Sequence, residues 1–236
     1  GIQPDILVLR TEYELSLALR KKVALFCNVD PAAVIQSIDV PSIYEVPLKM
    51  HQQHLDEIVL TKTGLPINGE PHLEPWLNFL HRMKNATKTV RIGLVGKYVE
   101  LPDAYKSINE SLFQAATYND RKLDLQYIHS EKLNSGNVDA MLSSLDGVLI
   151  APGFGQRGIE GKFIALKYAR EHDIPTFGVC LGMQCMVIEY ARDVLGYTDA
   201  NSTEMDVTTK HNVIDLMEEQ KSITNMGGTM RLGAYD

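Results

Sequence analysis

The sequence has few cysteines, no excess of positive charge and no long apolar run, and each shortage excludes a class of protein. The 236 residues include three cysteines, an odd number without shared spacing, so a disulfide framework is excluded and a reducing, cytoplasmic compartment is expected. A net charge of −7 gives no electrostatic basis for binding nucleic acid or an anionic membrane. The longest apolar runs are strand-length, far short of the roughly 20 residues that span a bilayer.

The two parts of the chain differ in pattern. A hydrophobic content of 44% with 22% charged residues is typical of a globular protein. Residues 1–85 mix one clear apolar strand with helical spacings and do not supply a complete sheet, so we predict that they are the end of a larger domain. Residues 86–236 form the second predicted domain. The chain begins without Met and stops abruptly at Asp236, so we expect truncation at both ends.

In the second part, apolar strands alternate with helical patterns. The predicted strands are Val90–Val95, Leu123–His129, Gly147–Ala151 and Thr176–Val179. The helices between and after them are predicted at Ala104–Thr117, Ala140–Leu145, Gly161–Arg170 and Leu181–Leu195. This alternation predicts an α/β fold with a mostly parallel sheet and helices on both faces.

Cys180 stands where a predicted strand runs directly into a predicted helix. A tight turn of this kind is a nucleophile elbow, which exposes its side chain at the carboxyl edge of the sheet. The helix N-terminus favours the thiolate, the N–H of Leu181 is free for an oxyanion, and Gly178 and Gly182 supply the necessary room. The alternative is a buried core thiol, and that is the interpretation for Cys27 and Cys185.

A glycine-rich loop follows the strand before the elbow. Gly153 to Gly158 matches the spacing of a dinucleotide-binding loop, but that function needs an acidic residue at the end of the next strand, where this sequence has Cys180. We therefore predict that the amides of Gly153 and Phe154 face the elbow and complete an oxyanion hole with Leu181. A plain turn is the alternative.

The histidines suggest neither a metal site nor a base. His51 and His54 have a possible ligand spacing, but no carboxylate or cysteine at matching spacing supports a metal. A cysteine nucleophile needs a base, and His211, in a polar segment, is the one histidine after Cys180.

The motif Gly178–Gln184 resembles the catalytic motif of class I glutamine amidotransferases, which are flavodoxin-like domains. Over essentially all 236 residues the chain is similar to the CTP synthase family. The segments that carry this similarity are residues 1–8, 24–29, 95–107, 154–161, 201–204 and 227–234.

The resemblance implies an enzyme that makes CTP from UTP, ATP and ammonia released from glutamine by a Cys-His-Glu glutaminase. It also implies Mg²⁺, GTP as activator, CTP as feedback inhibitor and a homotetramer. Residues 1–85 would be the tail of the amidoligase domain, a second α/β nucleotide-binding domain. Residues 86–236 would be a glutaminase domain that stops before its His-x-Glu pair.

The resemblance also implies individual roles. Cys180 would be the nucleophile, and Gly153 and Leu181 would supply the oxyanion hole. The glutamine-binding residues would be Gly153, Leu181, Gly182, Met183, Gln184, Glu204 and Arg231, of which the carboxylate and the guanidinium suit an amino acid's charged ends. A lid with a role in the GTP response would contain Arg157, Gly158 and Glu160. Lys22 would contact UTP or CTP, and Ile38, Asp39 and Val40 would lie at ATP.

Two other functions stay open. One is a different cysteine hydrolase on the same sheet, although Glu204 and Arg231 suit a free amino acid better than a peptide. The other is a regulatory or assembly module whose site is degenerate, which would carry an unactivated Cys180.

Overall fold

A computed structural model describes residues 3–216 of the chain, which falls into two compact units divided between Lys84 and Asn85. The assignment of these units to an amidoligase tail and a glutaminase domain stays a prediction. Arg231 lies outside the described residues. None of the helices within residues 3–216 is long and apolar enough to cross a membrane.

The first unit is a two-stranded parallel sheet with helices. Its elements are β1 Leu7–Thr11, α1 Leu17–Cys27, β2 Val34–Ile38, α2 Val46–His51, α3 Leu55–Thr63 and α4 Glu74–Asn85. Helix α1 begins where the Ser16 hydroxyl accepts the N–H of Leu19 at 3.3 Å, and it ends where Asn28 turns left-handed. The small core of this unit contains Ala24, Val29, Ala33 and Val34.

The first unit leaves large apolar side chains exposed. Leu25 and Phe26, adjacent on α1, are each 79% exposed, and Tyr13 is also exposed. Large exposed apolar side chains can mark an interface. Because residues 1–85 are predicted to be only the end of a larger domain, we expect them to bury their apolar faces against another chain or to remain partly disordered.

The second unit contains the predicted parallel sheet. Its elements are β3 Lys88–Gly96, α5 Lys106–Tyr118, β4 Arg121–His129, α6 Val138–Leu142, β5 Gly147–Ile150, α7 Ile159–Glu171, β6 Thr176–Gly178 and α8 Leu181–Asp193. The strand order is β4-β3-β5-β6 and every pair is parallel, which confirms the predicted fold class. Each predicted strand and helix of this unit is present, with ends shifted by a few residues.

Alternate residues of the central strands pack on opposite faces of this sheet. Val95 and Ile150 join a core cluster with residues of α6, α7 and α8. Leu94 and Leu149, their immediate neighbours, join a separate cluster with residues of α5. The sheet is therefore covered by helices on both faces, and its carboxyl edge is where the loops after β3, β5 and β6 meet.

The sequence did not predict one element. After α8 the chain forms a short parallel pair, β7 Asn201–Ser202 and β8 Asn212–Ile214, where the pattern predicts no regular structure. These strands are too short and polar to show a period, and Val213 of β8 lies beside Tyr190 and Leu195 at the end of α8. Packing on the helix, rather than local sequence, accounts for the pair.

One ion pair between α7 and α8 is largely buried. The Arg170 guanidinium donates to the Glu189 carboxylate at 2.7 and 3.1 Å, and the Glu189 side chain is only 5% exposed. The Glu189 carboxylate raises the pKa of Arg170. Because a lone buried carboxylate is costly, Glu189 depends on this partner.

We expect Arg170→Met to destabilise the second unit by about 2–4 kcal/mol, since it strands the Glu189 carboxylate. Lys167→Met is the matched control on the same helix. It removes only a solvent-screened surface pair with Asp193 (2.9 Å), so we expect a much smaller loss of stability. Hydrogen exchange of the α7 and α8 amides measures both changes. Equal losses in the two variants would contradict the prediction.

Candidate active site

Cys180 occupies the turn between β6 and α8, as the elbow prediction requires. It is the residue that precedes the first turn of α8, and its side chain is exposed. Its backbone φ of 52° and ψ of −114° lie outside the helical and strand regions. The alternative of a buried core thiol is therefore wrong for Cys180.

Two glycines make the turn sterically possible. A β-carbon on Gly182 would stand 2.2 Å from the Ile150 carbonyl oxygen of β5. A β-carbon on Gly178 would stand 2.6 Å from the backbone of Gly182 and Met183. Because these neighbours are backbone atoms that cannot rotate away, both positions need glycine to bring α8 close to the end of the sheet.

The loop after β5 lies beside the elbow. A β-carbon on Gly153 would stand 3.5 Å from Lys97 Cε and 3.7 Å from Leu181 Cδ2, so Gly153 sits between these two side chains. Leu181 is the first helical residue, where the backbone N–H has no partner within its helix. The structure thus brings Gly153 and Leu181, the predicted oxyanion residues, together at the turn that carries the predicted nucleophile Cys180.

Two lysines bind carbonyl groups of this loop. Lys97, directly after β3, donates from Nζ to the Phe154 carbonyl. Lys162, in the first turns of α7, donates from Nζ to the Ala151 carbonyl at 2.7 Å. Between the two anchored peptides lie Pro152 and Gly153, while the Phe154 side chain points to solvent.

Glu204 lies in a turn that is bonded to the same loop. The Gln156 side-chain amide donates to the Met205 carbonyl at 2.5 Å, and the Ser202 hydroxyl accepts the Glu204 N–H at 3.2 Å. Met205 also packs against the core cluster that includes Leu181. The turn that carries the exposed Glu204 is therefore bonded to the loop after β5, although 24 positions separate Glu204 from Cys180 in the sequence.

The residues of the predicted lid are anchored to the loop after β4. Arg157 pairs with Glu131 at 3.2 Å, and its guanidinium lies 5.4 Å from the centre of the Tyr98 ring. Gly158 precedes α7, and Glu160 lies in its first turn. These residues begin a few positions after Gly153, so they follow directly on the part of the loop after β5 that is predicted to supply the oxyanion hole.

The histidines of the second unit lie away from Cys180. His129 ends β4, three strands from β6 and thus about 14 Å along the sheet edge. His172 follows α7 and lies near the start of β6, at the opposite edge of the sheet. Neither is placed to act as the base for Cys180.

His211 is also remote. Its ring stacks on Tyr197 at 4.5 Å and its Nδ1 contacts the Asp199 carboxylate at 2.6 Å, which lowers the pKa of Asp199. Tyr197 is bonded to Ala191 near the end of α8. Because a helix of 13 residues is about 20 Å long, His211 lies far from the cysteine at its start.

The nucleotide residues predicted in the first unit are spread over two elements. Lys22 is exposed in the middle of α1. Ile38 ends β2, the exposed Asp39 carboxylate pairs with Arg10, and Val40 follows. Among residues 3–216, no group of three or more His, Cys, Asp or Glu side chains is arranged to hold a metal ion.

Three residues that support the site, Lys97, Lys162 and Gln156, were not predicted from the sequence. Lys97 directly follows a buried strand, at the edge where ligands bind in open α/β sheets. That position could have indicated a role for Lys97 at the site. Lys162 is a charged residue at the helical spacing of Ile159 and Leu166, both buried. A lysine on the apolar stripe of a helix was the second signal.

We expect iodoacetamide to alkylate Cys180 well before Cys185 in the folded chain. Burial raises the pKa of Cys185 to about 11, so below that pH its thiol stays protonated and unreactive, whereas Cys180 is exposed. Both lie in one tryptic peptide, residues 171–192, so fragment-ion mass spectrometry must locate the label. Urea-unfolded chain is the control, in which the two rates converge. Equal rates in the folded chain would contradict the prediction.

Two family models match the chain. The model described as Glutamine amidotransferase class-I matches residues 100–236, and the model described as CTP synthase N-terminus matches residues 1–65. The first match covers most of the second structural unit, including the elbow, the glycine-rich loop and Glu204.

Individual relatives agree with both models. The chain is 69% identical to a CTP synthase of Bacteroides fragilis and 64% identical to one of Porphyromonas gingivalis, in each case over 236 residues. These matches cover 100% of this chain and 44% of the relative, so the chain spans less than half the length of the curated relatives it matches. A solved structure, the glutaminase domain of Trypanosoma brucei CTPS with bound acivicin, is 41% identical with a TM-score of 0.52, covering 56% of this chain and 51% of that chain.

Proposed function

Because this chain belongs to the class I glutamine amidotransferase family, we propose that its second unit releases ammonia from glutamine, as part of a CTP synthase. The observation that carries the proposal is the placement of the exposed Cys180 at the start of α8, beside Leu181 and the Gly153 loop. The high identity to CTP synthases over the whole chain supports the narrower assignment.

The geometry suits attack on a carboxamide. The Cys180 sulfur would bond to the amide carbon of glutamine, and the carbonyl oxygen would become an oxyanion that accepts from the N–H groups of Leu181 and the Gly153 loop. The carbon–nitrogen bond then breaks, and the nitrogen takes a proton and leaves as ammonia. Water hydrolyses the remaining thioester to glutamate and frees the thiol.

We assign the charged ends of glutamine to two side chains. The Glu204 carboxylate would bind the α-ammonium group, and the Gln156–Met205 hydrogen bond supports this by fixing the Glu204 turn beside the loop. The Arg231 guanidinium would bind the α-carboxylate. Gly182, Met183 and Gln184, in the first turn of α8, would line the side of the glutamine chain.

For the whole protein we propose the amination of UTP to CTP with ATP. The ammonia would come from glutamine, GTP would activate the glutaminase and CTP would inhibit the enzyme.

Lys22 would contact UTP or CTP, and the segment Ile38–Val40 would contact ATP. Arg157, Gly158 and Glu160 would take part in the GTP response. Mg²⁺ would accompany ATP, as the family resemblance implies. We also propose a cytoplasmic homotetramer, and the three free cysteines fit a reducing compartment.

The test uses the full-length protein with glutamine labelled at the amide nitrogen, UTP, ATP and Mg²⁺. We expect the label in the amino group of CTP and one glutamate for each CTP formed. A peptide substrate panel run in parallel distinguishes the other cysteine hydrolases. Release of peptide products without glutamate would overturn the proposal, and absence of both activities would favour a regulatory module.

A further inference from the structure

Lys162 is a charged side chain in the apolar core. It is 1% exposed although it belongs to the residue types that are almost never fully buried without a partner. Its helix packs into the core cluster between α7, α8 and the sheet through Ile159, Ala165 and Leu166. A buried ammonium group costs free energy, and burial lowers the pKa of Lys162. A buried ammonium group of this kind therefore needs a hydrogen-bond acceptor inside the protein.

The compensating contact is with the carbonyl group of Ala151, the first residue of the loop after β5. Lys162 Nζ donates to the carbonyl oxygen of Ala151 at 2.7 Å, and Ala151 is itself fully buried at the end of β5. The next carbonyl that is anchored by a side chain belongs to Phe154, which accepts from Lys97. Lys162 therefore fixes the loop from inside the protein, two residues before Gly153.

Three titratable groups have charges that act on Lys162: Cys180 at the elbow, Cys185 in α8 and Lys97 after β3. The two thiols, when ionised, favour the charged form of Lys162, and Lys97 opposes it. Lys162 is therefore within electrostatic range of the elbow as well as bonded to the loop after β5.

We propose that Lys162 is a positioning residue for glutamine hydrolysis, holding the Ala151 carbonyl so that the Gly153 loop presents its amides to the oxyanion formed over Cys180. This inference rests on the proposed glutaminase function. A hydrogen bond that orients an oxyanion donor acts in the transition state, so its loss lowers kcat more than it changes KM.

The test is Lys162→Met in the full-length protein, which keeps the length of the side chain and removes the donor and the charge. We expect glutaminase kcat to fall by about 10–100-fold with little change in the KM for glutamine. CTP formation from free ammonium chloride should stay at the wild-type rate. A fall in kcat at constant KM, with the ammonium-dependent rate unchanged, is a result that general destabilisation of the fold would not give.

Lys167→Met is the matched control, because Lys167 lies on the same helix and pairs with Asp193 at the surface. It should leave every readout unchanged. If Lys162→Met melts below the assay temperature, Lys162→Gln takes its place with the same criteria. Loss of the fold in both variants, or a folded variant with wild-type kcat, overturns the proposal. A wild-type protein that releases no ammonia from glutamine refutes the proposed function instead.

Discussion

Replacing Cys180 by alanine in the full-length protein should lower glutamine-dependent CTP formation by at least about 10⁴-fold. The expected loss is large because the sulfur forms the bond to the substrate, and the oxyanion donors alone give only residual catalysis. CTP formation from ammonium chloride should be retained, since that reaction does not pass through the thioester. Parallel assays with the two nitrogen sources measure the separation directly.

Cys185→Ala is the control for this prediction. Cys185 lies in the same helix but is buried in the core, so its replacement removes a packing group and no reacting atom. We expect its glutamine-dependent rate to stay close to the wild-type rate. If Cys180→Ala keeps that rate, Cys180 is not the nucleophile, and the elbow must have another role.

The second large effect concerns the 236-residue chain by itself. We expect it to release glutamate from glutamine about 10²–10⁴-fold more slowly than the full-length protein, because both acylation and deacylation need a positioned acid–base group. The histidines of the second unit are remote from Cys180: His129 lies three strands away along the carboxyl edge, His172 lies at the opposite edge, and His211 lies beyond the end of α8. The family resemblance implies a His-x-Glu pair, and no such sequence follows Cys180 in this chain.

A glutamine-analogue electrophile provides an independent readout for the same chain. It should still label Cys180, slowly, because the exposed thiol and the adjacent amides are present without the base. A glutamate release rate like that of the full-length protein would contradict the argument. In that case His211→Asn would be the first variant to make, since His211 follows Cys180 and already has a carboxylate partner in Asp199.

The sheet and the elbow could be predicted from the sequence because their signals are local. The apolar run Gly147–Ile150 needs no partner to be identified as a buried strand, and the glycines at 178 and 182 mark the turn around Cys180. The pair β7 and β8 could not be predicted in this way. Its strands have two and three residues, and they depend on packing against the end of α8.

The polar contacts of the site could not be predicted from the sequence either. That Gln156 bonds the Glu204 turn depends on two segments meeting across about 50 positions of chain. Lysine side chains are usually exposed to solvent, so the sequence does not indicate that Lys162 is buried. Its ammonium group has an acceptor only because of the backbone path of the loop after β5. The candidate site residues were predicted from residue type and spacing. The residues that hold the site loops in place by hydrogen bonds could be identified only from the tertiary structure.

The left-handed backbone at Cys180 has a consequence for how the sequence trades stability against activity. With φ at 52°, a residue other than glycine carries a conformational cost of order 1–3 kcal/mol. A sequence selected for stability alone would therefore place glycine at this position and gain free energy of unfolding. Stabilisation campaigns that rank substitutions by folding energy should accordingly favour Cys180→Gly, and in doing so would erase the reactive group for which the turn is built.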